Sequence, residues 1–152
     1  MQTFLPYADF KKSAKSLDYK RLNSQRREAR QILNVLSYLQ LNPNGKIGWM
    51  NHPAVKMWKG YEIALCEYYN CILEEWIKRG YSNNMQFLEI NYSDLPIEYP
   101  WWLGNENFHR AMRSRLIEKF PEFYEPKFPG DKGFNDGKYL WPVNDTKKFR
   151  II

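Results

Sequence analysis

One glutamate, Glu28, stands among Arg26, Arg27 and Arg30. Guanidinium groups that close favour the ionised carboxylate, so Glu28 should carry charge at neutral pH. On a helix, Arg21, Gln25 and Glu28 are separated by four and three residues and form one polar stripe beside the apolar stripe Leu22–Ala29. A polar stripe at the edge of a buried face is where a cleft can form. There the arginines would grip phosphates, and the single carboxylate would stabilise a positive centre or carry a proton. The same residues also make an ordinary solvated basic face with intrahelical Arg–Glu pairs.

The charge of the whole chain points to the same helix. The sequence has 152 residues and a net charge of +6. Residues 11–30 hold Lys11, Lys12, Lys15, Lys20, Arg21, Arg26, Arg27 and Arg30 against Asp18 and Glu28, so the remainder is balanced. A neutral body with one concentrated basic helix favours a polyanion, and nucleic acid is the first partner to test. Other candidates are weaker. His52 precedes Pro53 and suits a helix cap. His109, Arg110 and Arg113 read as a basic patch on a later helix. Tyr124, Phe128, Tyr139 and Trp141 suit either a packed lid or base stacking.

The elements that would position these residues follow from periodicity. Residues 8–16 suit a short helix. The main basic helix runs from about Leu17 to Gln40, with Leu22, Ala29, Ile32, Leu33, Leu36 and Leu39 inward. Asn42-Pro43-Asn44-Gly45 breaks it. A second helix opens at Asn51-His52-Pro53 and ends at Lys78-Arg79-Gly80. Its stripe is Val55, Trp58, Tyr61/Glu62, Leu65, Tyr69, Ile72 and Trp76, flanked by Ile63, Leu73 and Ile77. It should be the most buried helix. Residues 81–104, with YSDLP and EYPWWLG, form a turn-rich connection. A third helix runs from about Asn105 to Phe120, stopped by Pro121. Residues 121–152 read as a Pro-rich, aromatic wrap, with a short hairpin near Tyr139–Trp141. The expected fold is all-α, a single domain over residues 1–152, with three principal helices of about 20, 26 and 16 residues joined by long loops.

Several classes drop out. No apolar run reaches the roughly 18–20 residues of a membrane span, so no membrane partner is expected. The first residues lack a signal-peptide pattern, and Cys66 and Cys71 read as reduced thiols, so the expected location is cytoplasmic or nucleoid-associated, or host cytoplasm if viral. Two histidines and no cysteine pair argue against a metal site. No phosphate-binding loop or dinucleotide fingerprint is present, and no cofactor is expected.

Three stretches, in this order, resemble the pyrimidine-dimer DNA glycosylase family of the endonuclease V type. LDYKRLNSQRREARQIL (Leu17–Leu33) is similar to the family's first helix, with its glutamate directly after an arginine and a basic position one and a half turns earlier. These fall on Glu28, Arg27 and Arg21. His52 to Gly80, ending in EEWIKRGY, resembles the central helix. SRLIEKFPEFYEPKF (Ser114–Phe128) resembles the last helix and its aromatic, basic tail. The resemblance implies double-stranded DNA as partner and a glycosylase with AP-lyase activity. In it a free N-terminal amine attacks the sugar C1′, an imine forms, the base leaves, and β-elimination cuts the strand. The glutamate stabilises the cationic sugar. An α-amine has a pKa of about 7.7–8.0, so a useful fraction is a neutral nucleophile near neutral pH. Gln2 is bulky, so Met1 is expected to stay: either the Met1 amine is the nucleophile, or the imine chemistry is lost. Met1 and Glu28 are then the catalytic pair, and Lys20, Arg21, Gln25, Arg26, Arg27, Arg30, His52, His109, Arg110, Arg113 and Tyr124 the DNA-binding set. The protein is expected to be a monomer. The alternative is a non-catalytic DNA-binding protein on the same fold.

Overall fold

A computed structural model describes residues 1–91 and 96–151; most of the YSDLP turn therefore lies outside the described residues. Asp9 caps α1 (Phe10–Ser16), accepting a hydrogen bond from the Lys12 N–H at 2.8 Å. The chain extends for one residue at Leu17. Asp18 then caps α2 (Tyr19–Leu41) through the Lys20 N–H. Most of the expected inward stripe of α2 is buried, namely Leu22, Ala29, Ile32, Leu33 and Leu36, whereas Leu39 is half-buried at the edge of the core. Pro43 lies just past the C-cap of α2, Asn42.

The expected 26-residue second helix is instead two. His52 caps the short α3 (Pro53–Lys56), its Nδ1 accepting from the Ala54 N–H at 3.0 Å, and Pro53 takes the first turn. After a tight turn, α4 (Glu62–Lys78) begins. Gly60, at φ +90, makes the break. The apolar spacing survives because the turn between them keeps Trp58 and Tyr61 facing inward. Within α4, Leu65, Tyr68, Tyr69, Ile72, Leu73 and Trp76 are buried, whereas Ile63 and Ile77 are exposed. Asn105 caps α5 (Glu106–Lys119). Pro121 both ends α5 and opens the single turn α6 (Pro121–Tyr124).

The all-α expectation is corrected in one place. β1 (Leu140–Val143) and β2 (Lys148–Ile151) form an antiparallel hairpin, with Leu140 opposite Ile151 and Val143 opposite Lys148. The architecture is therefore mostly helical with a two-stranded sheet. Helix α4 packs against α1 and α2, and α5 against α6 and the hairpin. The core is rich in large rings: Trp58 and Trp102 are fully buried and meet edge-on at 5.0 Å between centroids. Each buried aromatic of this kind contributes about 1.5–3 kcal/mol. Cys66 and Cys71 are unpaired, and burial raises both thiols, Cys71 to about 11. No helix among the described residues is long and apolar enough to cross a membrane.

Candidate active site

The site is built by an extended arm, residues 1–6, drawn into the helical core. Gln2, Thr3, Phe4 and Leu5 are all buried. Extended backbone inside a core must find hydrogen-bond partners, and side chains from three helices and the turn after α3 supply them. Gln25, on α2 and wholly buried, accepts from the Phe4 N–H at 2.8 Å and donates to the Gln2 carbonyl at 2.9 Å. The Tyr68 hydroxyl lies 2.6 Å from Gln25 Oε1 and 2.8 Å from the Phe4 carbonyl. The Trp58 indole donates to Thr3 Oγ1 at 3.0 Å. From α5, His109 Nδ1 meets the Leu5 carbonyl at 2.8 Å, and Arg113 donates to the Pro6 carbonyl at 2.8 Å.

This arm ends in a cavity of about 880 Å³. The Met1 α-amine lies 3.9 Å from Glu28 Oε1, an ion pair without a hydrogen bond. The Met1 side chain is only 3% exposed although the residue is only partly buried, so the part that meets solvent is its main-chain, amine end. Glu28 Oε2 accepts from Gln25 Nε2 at 2.9 Å. One carboxamide therefore holds both the arm and the carboxylate. Gln2 also lines the cavity; its Oε1 accepts from the Thr3 N–H, and its Nε2 is buried with no protein partner.

The electrostatics differ from the sequence expectation. Burial raises the Glu28 carboxyl above its ordinary value, and the Met1 amine, Arg27, Lys119 and the Gln25 hydrogen bond pull it back only in part. Of the three arginines adjacent in sequence, only Arg27 acts on it. Arg26 and Arg30 project from the other side of α2. The Arg26 guanidinium lies 4.5 Å over the Trp76 ring and bonds Asn23 and Asn83, and Arg30 lies 5.8 Å from the Tyr69 ring centre.

The remaining expected residues divide. Lys20 and Arg21 line the cavity, Arg21 pairing with Asp18 at 3.4 Å. Arg27 is exposed beside it. His52 caps α3, edge-on to Trp49 and Trp141, and burial and the Met1 amine lower its pKa. His109, Arg113 and Tyr124, expected on a contact surface, are buried instead. His109 accepts from the Gly104 N–H through Nε2, so both ring nitrogens are used. Arg113 is clamped by Asp131 and Glu106 as well as Pro6. The Tyr124 hydroxyl donates to the Asp18 carboxylate and accepts from the Asp18 N–H. Burial and that carboxylate push its pKa far up. Arg110 pairs with Asp131 and covers Phe134.

The cavity also has walls outside the expected DNA-binding set. Lys119, Phe120 and Phe123 come from the end of α5 and from α6, and Tyr139 precedes β1. Burial, with Arg115 and Arg21, lowers the pKa of Lys119, and burial raises that of Tyr139 to about 12. Lys119 lay within the matched SRLIEKF stretch, and its place in the last turn of α5 was the available signal. Among the described residues, no group of three or more His, Cys, Asp or Glu is placed to hold a metal ion.

Fold and site together define a helical protein whose terminal amine and one carboxylate share a cation-rimmed cleft. The model of one family, pyrimidine dimer DNA glycosylase, matches residues 1–89, which contain Met1, Gln25 and Glu28 and run through the end of α4. The chain belongs to that family. No curated protein and no solved structure matches it.

Proposed function

We propose that this protein excises pyrimidine dimers from double-stranded DNA through an imine formed by its N-terminal amine. The observation that carries the reading is the Met1 amine 3.9 Å from Glu28 at the wall of the 880 Å³ cavity. The amine nitrogen attacks C1′ and the glycosidic C1′–N1 bond breaks, its electron pair leaving with the base. The nitrogen gives up one proton, its electron pair forms the C1′–N double bond as the C1′–O4′ bond breaks, and O4′ takes a proton, so the opened sugar is held as a protonated imine. Removal of a C2′ proton and departure of the 3′ phosphate complete β-elimination. A carboxylate whose pKa is raised by burial is a stronger base than an exposed one, which suits Glu28 to take the amine proton. Its charge also stabilises the positive sugar carbon. Lys20, Arg21, Arg27 and Lys119 supply the phosphate contacts around the opening. A dimer is already poorly stacked and paired, so exposing it costs less than for a normal base.

The test uses a duplex with a single dimer and borohydride. The wild type should release the base, cut the strand and leave a reduced covalent adduct. Glu28→Gln should lower turnover by about 10²–10⁴-fold with DNA affinity kept. Absence of abasic product and adduct across the ultraviolet lesions would sink the proposal, and a binding protein would remain.

A further inference from the structure

Trp49 is the outlier of the loop between α2 and α3. It is 52% exposed and adopts φ +71. A bulky side chain at positive φ is strained, and such strain persists where something else requires the conformation. The other non-glycine residues at positive φ among the described residues are Asn135, Asp136 and Lys147. Asn and Asp tolerate that region, and Lys147 sits in the hairpin turn. Trp49 is the third residue of the turn Ile47–Met50, closed by the Met50 N–H on the Ile47 carbonyl at 3.4 Å, a place that favours glycine or asparagine over a bulky ring. The conformation is locked by its own carbonyl, which accepts from the His52 N–H at 2.9 Å.

What that conformation achieves is a row of rings. Trp49 meets His52 edge-on at 5.6 Å between centroids, His52 meets Trp141 at 5.9 Å, and Trp141 meets Tyr139 at 5.4 Å. Tyr139 is a wall of the cavity that holds Met1 and Glu28. The row therefore runs from the cavity to solvent, and Trp49 is its most exposed ring. Exposed Lys46 and Lys56 flank that end in sequence. An open indole at a fixed offset from a cleft for DNA, in a segment that carries exposed lysines, suits a nucleobase of a strand whose phosphates those lysines attract.

We propose that Trp49 stacks on a base of the duplex near the lesion and so fixes the register in which the damaged nucleotide meets Met1 and Glu28. This rests on the reading of the cleft as a DNA glycosylase site. Trp49 is a positioning residue: it touches DNA but not the reacting atoms.

The experiment compares wild type with Trp49→Phe, Trp49→Ala and Trp49→Gly. It measures affinity for a dimer-containing duplex, single-turnover excision, melting temperature, and the fluorescence of 2-aminopurine placed at successive positions beside the dimer. Trp49→Ala should bind about tenfold or more weakly, in line with the loss of one stacked base, and should lose the fluorescence change at one position. Trp49→Phe should keep most of both. Trp49→Gly should bind as weakly as the alanine variant while melting no lower than wild type, since glycine accepts φ +71 without strain. Wild-type affinity and fluorescence response in Trp49→Ala and Trp49→Gly would overturn the proposal. So would a change confined to self-association in sedimentation. If the wild type binds but excises nothing while the Trp49 variants still lose affinity, the stacking role stands and the glycosylase reading fails.

Discussion

Replacing Gln25 by methionine tests whether one buried carboxamide assembles the reacting pair. Methionine keeps the approximate volume but removes every polar atom. The wild-type amide accepts from the Phe4 N–H at 2.8 Å and donates to the Gln2 carbonyl and to Glu28 Oε2, both at 2.9 Å. Tyr68 keeps the Phe4 carbonyl as partner, so two buried main-chain groups of the arm are left without a bond. Each such group costs about 1–3 kcal/mol, so the pair costs about 2–6 kcal/mol. That is a large share of the roughly 5–15 kcal/mol by which proteins are stable. At about 2–4 °C per kcal/mol for a chain of this size, the melting temperature should fall by about 4–24 °C. Circular dichroism reads the melt, and single-turnover excision well below both midpoints reads the chemistry. Excision should fall further than unfolding explains, because the arm and Glu28 lose the same anchor. A melt within about 2 °C of wild type together with full excision would refute the reasoning.

Three further outcomes follow from the electrostatics and the packing. Arg27 lowers the Glu28 pKa against the dominant effect of burial, so Arg27→Gln should shift the acid limb of the excision-rate profile to higher pH; an unmoved limb would show that Glu28 does not set it. The folded state holds the Glu28 proton more tightly than the unfolded chain. This group's contribution to stability is therefore present at acid pH and lost as pH rises through the folded value, and a pH series of urea midpoints should show that sign for wild type against Glu28→Gln. Tyr124→Phe should lower the unfolding free energy, measured by urea titration, by about 1–3 kcal/mol, since the buried Asp18 N–H loses its partner and the Asp18 carboxylate one of its bonds, while DNA affinity changes little. A loss of affinity at constant stability would restore Tyr124 to the contact surface.

The helix that carries Glu28 was legible because its information is local. The spacing of Leu22, Ala29, Ile32 and Leu36 sets the buried face, and Arg21, Gln25 and Glu28 follow beside it. The break before α4 was not legible, because the turn at Gly60 preserves the helical spacing of Trp58 and Tyr61. The arm was hidden for a different reason. Its partners Gln25, Tyr68, His109 and Arg113 lie far along the chain, and they bond its main chain rather than its side chains. His109 and Arg113 therefore read as surface cations. In the fold they meet carbonyls of residues 5 and 6, which no charge pattern reports. The three-arginine cluster misled likewise, since neighbours in sequence point to opposite sides of a helix and burial outweighs the one that remains.

The central claim is that the Met1 amine forms the covalent bond to DNA. It is tested most directly by mapping the borohydride-reduced adduct by mass spectrometry after trypsin digestion. The first cleavage site is Lys11, so the account predicts the sugar remnant on the peptide of residues 1–11, at the α-amine of Met1. An adduct on Lys20 or on Lys119, both of which line the cavity and the second of which burial drives toward its neutral form, would contradict it, as would excision with no adduct on any peptide.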